Sequence, residues 1–120
     1  MSVDLRPAQA LKLMHDVAFA MVLGANDDDV PDFSMRQLTM LLTIYLEPPP
    51  HTVRGLAKKL NVTKPVITRG LDTMGKHELV TRRRDETDRR NVLIQRTLKG
   101  ALFVEKFGDL VVARSKELGL

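Results

Sequence analysis

Arginine is concentrated in one short part of this sequence. Arg82, Arg83, Arg84, Arg89, Arg90 and Arg96 all lie in LVTRRRDETDRRNVLIQRT, residues 79–97, with Asp85, Glu86 and Asp88 set among them. Each guanidinium presents a planar fork of donors that matches a phosphate or a carboxylate, so this density of arginine suits an oxyanionic partner. The interleaved acids have two uses. Asp85 and Glu86 reduce the self-repulsion of the cations, and Asp88 can accept hydrogen bonds from Arg90 or a neighbour. Fixing a long side chain before it docks lowers the entropy lost on binding. A solvated charge cluster has the same composition, so the elements carrying these residues decide between the two readings.

Other chemistry finds little support. The chain has no cysteine, which excludes disulfides, thiolate metal sites and a thiol nucleophile. His15, His51 and His77 are far apart and show no ligand spacing, so no metal site is expected. The acidic run at 27–29 lacks the alternating ligands and central glycine of a calcium loop and reads as a solvated loop. There is no glycine-rich phosphate loop and no Ser-His-Asp arrangement. An enzyme is not expected, and no cofactor is called for.

A chain of 120 residues, 43% apolar and 28% charged, fits one globular domain with a modest core. Its net charge of +4 is unevenly spread. Residues 1–50 carry three basic and seven acidic groups, residues 51–100 thirteen and five, and the last twenty residues three of each. The positive field therefore comes from the middle of the chain, as in a polyanion-binding element.

The positioning elements read as mostly helical. PAQALKLMHDVAFAMVLG, Pro7 to Gly24, opens on proline, ends on glycine and is apolar nearly all round. It is too short and interrupted to span a bilayer, and a helix apolar on every side needs cover on every side, which points to a partner subunit. Ser34 and Gln37 have capping-box spacing, so a second helix is expected to start at Ser34. Leu38, Leu41, Leu42 and Tyr45 mark its apolar stripe, and Pro48-Pro49-Pro50 ends it. A short helix from about Val53 to Leu60, capped by Thr52, leads through Asn61-Val62-Thr63 into a helix from about Lys64 to Lys76, with Thr63 or Lys64 as its cap. Pro65 sits in its first turn, where a missing N–H costs nothing. Ile67, Leu71 and Met74 share its buried face, while Lys64, Pro65, Thr68, Arg69 and Asp72 fall mostly on the other side. Two short helices joined tightly, with small Ala57 at the crossing, make a helix-turn-helix, and the outward residues suit phosphates and base edges.

The opening stretch then becomes a wing. Leu79–Arg84 and Asn91–Arg96 are strand-like, and DETDR joins them into a basic hairpin. Its arginines can reach backbone phosphates, and its tip can enter a narrow minor groove of enhanced negative potential. A last helix, capped by Thr97, carries Leu98, Leu102, Phe103, Phe107, Leu110 and Val111 as a wide apolar stripe, with Gly108 as a weak point or a place of close helix approach.

Taken together, Leu56-Ala57, Leu60, Val62-Thr63, Ile67-Thr68-Arg69, Leu71-Asp72, Leu79-Val80, Arg82, Asp88-Arg89-Arg90 and Thr97 with Gly100 resemble the winged helix of the multiple-antibiotic-resistance regulator (MarR) family of bacterial transcription factors. The similarity covers about residues 34–107, and Asp-Arg-Arg followed by Thr-x-x-Gly is its most specific part. The resemblance implies a mainly α (α+β) winged helix-turn-helix with N- and C-terminal dimerisation helices. It implies a homodimer that binds double-stranded DNA at a palindromic operator as a repressor in the bacterial cytoplasm, often with a small-molecule effector. Thr63, Lys64, Val66, Thr68 and Arg69 carry over as recognition-helix contacts and Arg90 as the wing-tip contact. Pro65, Arg82, Arg84 and Arg89 complete the expected DNA-binding surface, with Asp88 positioning the wing.

The expected organisation is a single domain, 1–120, with 34–96 as the DNA-binding part. Helices 7–24 and 97–120 dimerise through Leu13, Val17, Phe19, Leu102, Leu110 and Val111. Relatives continue past the position of Leu120 into another dimerising helix, so a smaller interface is expected. Glu78 stands where the family usually has glycine, so the left-handed cap there must shift or be strained. Gly70 and Gly75 should loosen the recognition helix by up to about 1 kcal/mol each. The rival reading is a winged helix used as a protein-interaction module, an antagonist of a full-length regulator. Arg69, Arg89 and Arg90 argue against it, because a protein partner has no need of a phosphate-directed array.

Overall fold

The computed structural model describes residues 4–25 and 31–119, so the acidic run at 27–29 lies outside the described residues. Along the chain run α1 (Pro7–Gly24), α2 (Met35–Leu46), β1 (His51–Thr52), α3 (Val53–Leu60), α4 (Lys64–Lys76), β2 (Val80–Arg84), β3 (Val92–Arg96) and α5 (Leu98–Lys116). The three strands form an antiparallel sheet in the order β1-β3-β2. Contacts divide the chain into two units: Phe33–Val104, and Met1–Asp32 with Glu105–Leu120. Among the described residues no helix is long and apolar enough to cross a membrane.

The Phe33–Val104 unit is built on local signals that the sequence displays. The Gln37 amide donates to the Ser34 hydroxyl at 3.1 Å, and the Ser34 amide donates to Gln37 Oε1 at 3.0 Å, closing the capping box that starts α2. Thr52 accepts from the Gly55 amide at 2.9 Å and starts α3. Asn61 ends α3 in the left-handed conformation at φ 54°, and the Val62 amide reaches back to the Ala57 carbonyl at 3.0 Å. This tight reversal brings α4 across α3.

Met40, Leu41, Ile44, Leu56, Ile67, Leu71, Met74, Leu79, Val80 and Ile94 are buried together, with Phe33, Leu60, Val92 and Phe103 packed around them. Each large side chain withdrawn in this way contributes about 1.5–3 kcal/mol. The expected stripe on α2 needs correction. Its buried residues are Met40, Leu41, Thr43 and Ile44, while Leu38, Leu42 and Tyr45 are half-buried. Nearly every position from Leu38 to Leu46 is apolar, so helical spacing alone could not choose the inward face.

Gly70 also needs correction. A Cβ at Gly70 would lie 2.9 Å from the Met40 thioether, so the glycine admits the Met40 side chain between α2 and α4 instead of merely loosening the helix. At Gly100 the crowding is greater: a Cβ would collide with the Tyr45 hydroxyl and the Leu79 carbonyl. That hydroxyl donates to the Leu79 carbonyl at 2.6 Å and accepts from the Thr97 amide at 3.0 Å. Thr97 donates to the Glu78 carbonyl at 2.7 Å and accepts from the Gly100 amide at 2.9 Å. One tyrosine, one threonine and one glycine thus join α2, the end of α4 and the start of α5.

In the other unit, α1 buries none of its residues. Leu11, Met14, Phe19, Val22 and Leu23 are exposed, while Leu13, Val17, Leu110 and Val111 are half-buried. Among the described residues a Cβ at Gly108 would meet nothing within 4 Å outside its own helix backbone, so no close helix approach is seen there. The helix α5 ends at Lys116, earlier than the expected 97–120. Apolar exposure is not confined to the terminal helices: Met35 is 74% and Leu46 72% exposed on α2.

Candidate nucleic-acid interface

Helix α4 exposes Lys64, Pro65, Thr68, Arg69 and Asp72, just after exposed Thr63, while Val66 is half-buried. Thr63 occupies the N-cap position with no side-chain hydrogen bond to the helix, which leaves its hydroxyl available outward. Arg69 lies along its own helix, with Nε donating to the Pro65 carbonyl at a long 3.4 Å. The same arginine lines a concavity with Ser34, Arg36, Gln37, Met40, Val66 and Gly70. Arg36 is a cation the sequence reading did not single out, since only folding brings the start of α2 beside α4.

At the end of α4 the chain turns into the sheet through Glu78. The Glu78 amide donates to the Gly75 carbonyl at 3.0 Å and the Leu79 amide to the Met74 carbonyl at 2.9 Å, the paired bonds of a Schellman cap. Glu78 itself holds the left-handed position at φ 60°. The cap has not shifted, and the strain expected of a residue with a side chain remains there.

The six arginines then separate by role. In the register Arg82 stands opposite Ile94 and Arg84 opposite Val92, on the sheet face that carries the core, while Arg83 stands opposite Leu93 on the other. Arg82 donates to Asp72 Oδ1 on α4 at 2.7 Å. Arg84 donates to the Arg89 carbonyl at 2.8 Å, tying the end of β2 to the connecting turn. Arg96 turns inward, donating to the Ile44 and Glu47 carbonyls at 2.7 Å each and lying over the Tyr45 ring. It closes the C-terminal end of α2, where free carbonyls and the helix dipole favour a cation. Arg83, Arg89 and Arg90 remain exposed.

The wing tip is ordered by its acids. Asp85 Oδ1 accepts from the Thr87 amide at 2.9 Å and the Thr87 hydroxyl at 2.7 Å. The Asp85 amide donates to the Asn91 carbonyl at 3.0 Å, and the Asn91 amide to the Asp88 carbonyl at 2.9 Å. Asp88 accepts from Arg90 through both carboxylate oxygens, Nε at 3.1 Å and an Nη at 3.2 Å, and from the Arg90 amide at 3.1 Å. The Arg90 side-chain bond, then its backbone N–H, holds Asp88 below the usual carboxylate range. Asp85 is lowered by the Thr87 hydroxyl and then its amide. Depressed values mean that both acids support the wing at neutral pH and withdraw that support only as pH falls through them. Thr87 is a wing residue the sequence reading passed over.

The structure therefore gathers Thr63, Lys64, Pro65, Thr68 and Arg69 on one helix, with Arg82 bridged to its far end. Arg84, Arg89, Arg90 and Asp88 lie in the adjoining hairpin. Among the described residues no group of His, Asp and Glu could hold a metal ion.

Comparison with known proteins agrees with this geometry. The sequence profile of the MarR family matches residues 33–92, half of the chain. The chain belongs to the MarR family. It is 37% identical over 71 residues to the organic hydroperoxide resistance transcriptional regulator of Bacillus subtilis (strain 168), a match covering 57% of this chain and 48% of that protein. The chain thus spans about half the length of the curated relative it matches. Among solved structures, a mutant S. aureus MepR superposes with a TM-score of 0.73 at 19% identity, covering 96% of this chain and 83% of that one. A complex of S. aureus MepR with DNA superposes at 0.68 and 24% identity, covering 81% and 74%. The winged helix of this MarR chain is thus a shared architecture.

Proposed function

We propose that this MarR-family chain is a sequence-specific DNA-binding regulator, a repressor that acts as a homodimer on a palindromic operator in the bacterial cytoplasm. The observation that carries the reading is the cationic edge formed by α4 and the wing. The outward face of α4 offers Lys64, Thr68 and Arg69, and the hairpin beside it offers Arg89 and Arg90, all exposed. A helix of that width fits the major groove, and an arginine at a hairpin tip fits the adjoining minor groove.

The dimer rests on a different observation. A helix that buries no residue and exposes Leu11, Met14, Phe19, Val22 and Leu23 gains from a partner's cover. A second copy would also double the base contacts, supplying the specificity that one recognition helix lacks. On this reading the chain forms one MarR-like domain in which α1 and α5 dimerise. Purified protein incubated with fragmented genomic DNA should retain a small set of sequences sharing a palindrome. Retention of random fragments, or of none, contradicts the proposal.

A further inference from the structure

Arg82, expected from the sequence to lie on the DNA-binding surface, is joined in the structure to Asp72. We propose that Asp72 and Arg82 form a positioning pair that sets the wing relative to the recognition helix, an inference that rests on the DNA-binding reading above. Asp72 lies one turn beyond Arg69 on the exposed face of α4. A carboxylate there repels phosphate, so its place on a polyanion-facing helix needs a compensating role. Its Oδ1 takes a hydrogen bond of 2.7 Å from the Arg82 guanidinium, whose side chain is 33% exposed against 59% for the acid.

The pair is the first of three ties that lead outward along the wing. Asp72 holds Arg82 near the base of β2. Two residues on, Arg84 holds the Arg89 carbonyl in the connecting turn. Next to Arg89, Asp88 holds the Arg90 side chain at the tip. Through these ties the tip arginine has a defined offset from Arg69. An exposed ion pair adds little to folding stability, so the effect of breaking this one belongs in DNA affinity and not in melting temperature.

The opposing possibilities differ in sign. If Arg82 is itself a phosphate contact, Asp72→Asn removes a repelling charge and binding tightens or stays the same. If the pair positions the wing, Asp72→Asn and Arg82→Gln each weaken binding by about five- to tenfold, the double variant loses no more than either single, and the exchanged pair Asp72→Arg with Arg82→Asp recovers most of the affinity. Fluorescence anisotropy with a labelled duplex retained by the wild-type protein reads all four variants, and thermal melts run alongside should stay close to wild type. Tighter or unchanged binding by Asp72→Asn, or additive losses in the double variant, overturns the pair while the wild type still binds. Absence of binding by the wild type itself rejects the DNA-binding reading instead.

Discussion

Arg90 and Arg69 are both exposed cations near a polyanion, yet their surroundings give them different tasks. Arg90 is pinned by two contacts to Asp88 at the tip of a hairpin, which suits insertion into a groove whose width it senses. Arg90→Ala should weaken binding by about 1–3 kcal/mol, most where the flanking minor groove is narrow and A·T-rich. Unchanged affinity in a gel-shift titration removes the wing from the mechanism. Arg69 lies on the helix that would enter the major groove, so Arg69→Ala should lower the ratio of operator to scrambled-DNA affinity; an equal loss on both makes it a phosphate contact. Glu78 belongs at this scale as well. Its positive φ of 60° suits glycine, and its Oε2 is 3.9 Å from Lys99 Nζ in an exposed pair of little worth. Glu78→Gly should raise stability by about 0.5–1 kcal/mol in urea denaturation, since relief of left-handed strain exceeds the entropy that glycine costs. A decrease shows that the cap carries no such strain.

Elements were legible in the sequence where their signals are local. Ser34 with Gln37, Thr52, Asn61 and Thr97 are caps written within four residues of the helices they bound, and the observed boundaries of α2 and α3 and the start of α5 follow them. What escaped depends on contacts between distant segments. The two-residue β1 exists because His51 and Thr52 meet Ile94 and Leu93, more than forty positions away, and two residues carry no periodicity. The inward turn of Arg96 likewise depends on carbonyls of α2 that only the fold brings near. Within the site, the residue types of α4 and the wing were readable, but the assignment of Arg82 and Arg84 to ties within the protein was not. The joint of α2, α4 and α5 gives the prediction at this scale. Gly100→Ala must displace the Tyr45 hydroxyl and with it the bonds to Leu79 and Thr97, costing about 2–4 kcal/mol. A thermal melt reads the loss, and a melting temperature equal to wild type means that the joint relaxes freely.

At the scale of the whole molecule the proposed function couples a DNA-binding edge to a dimer. Phe19 is 54% exposed on α1, stacked on His15 at 5.7 Å between ring centres. Phe19→Asp should yield a species of 13.5 kDa in sedimentation. That monomer should bind DNA weakly and without preference for the palindrome, because a single recognition helix contacts few base pairs. A wild type that sediments as a monomer at micromolar concentration removes the dimer and favours the protein-interaction module. The central claim, that α4 and the wing grip DNA phosphates, is tested most directly by the salt dependence of affinity for the retained duplex. Two subunits placing three or four cations each on phosphates give a log–log slope of about −5 to −7. A slope near zero contradicts the account.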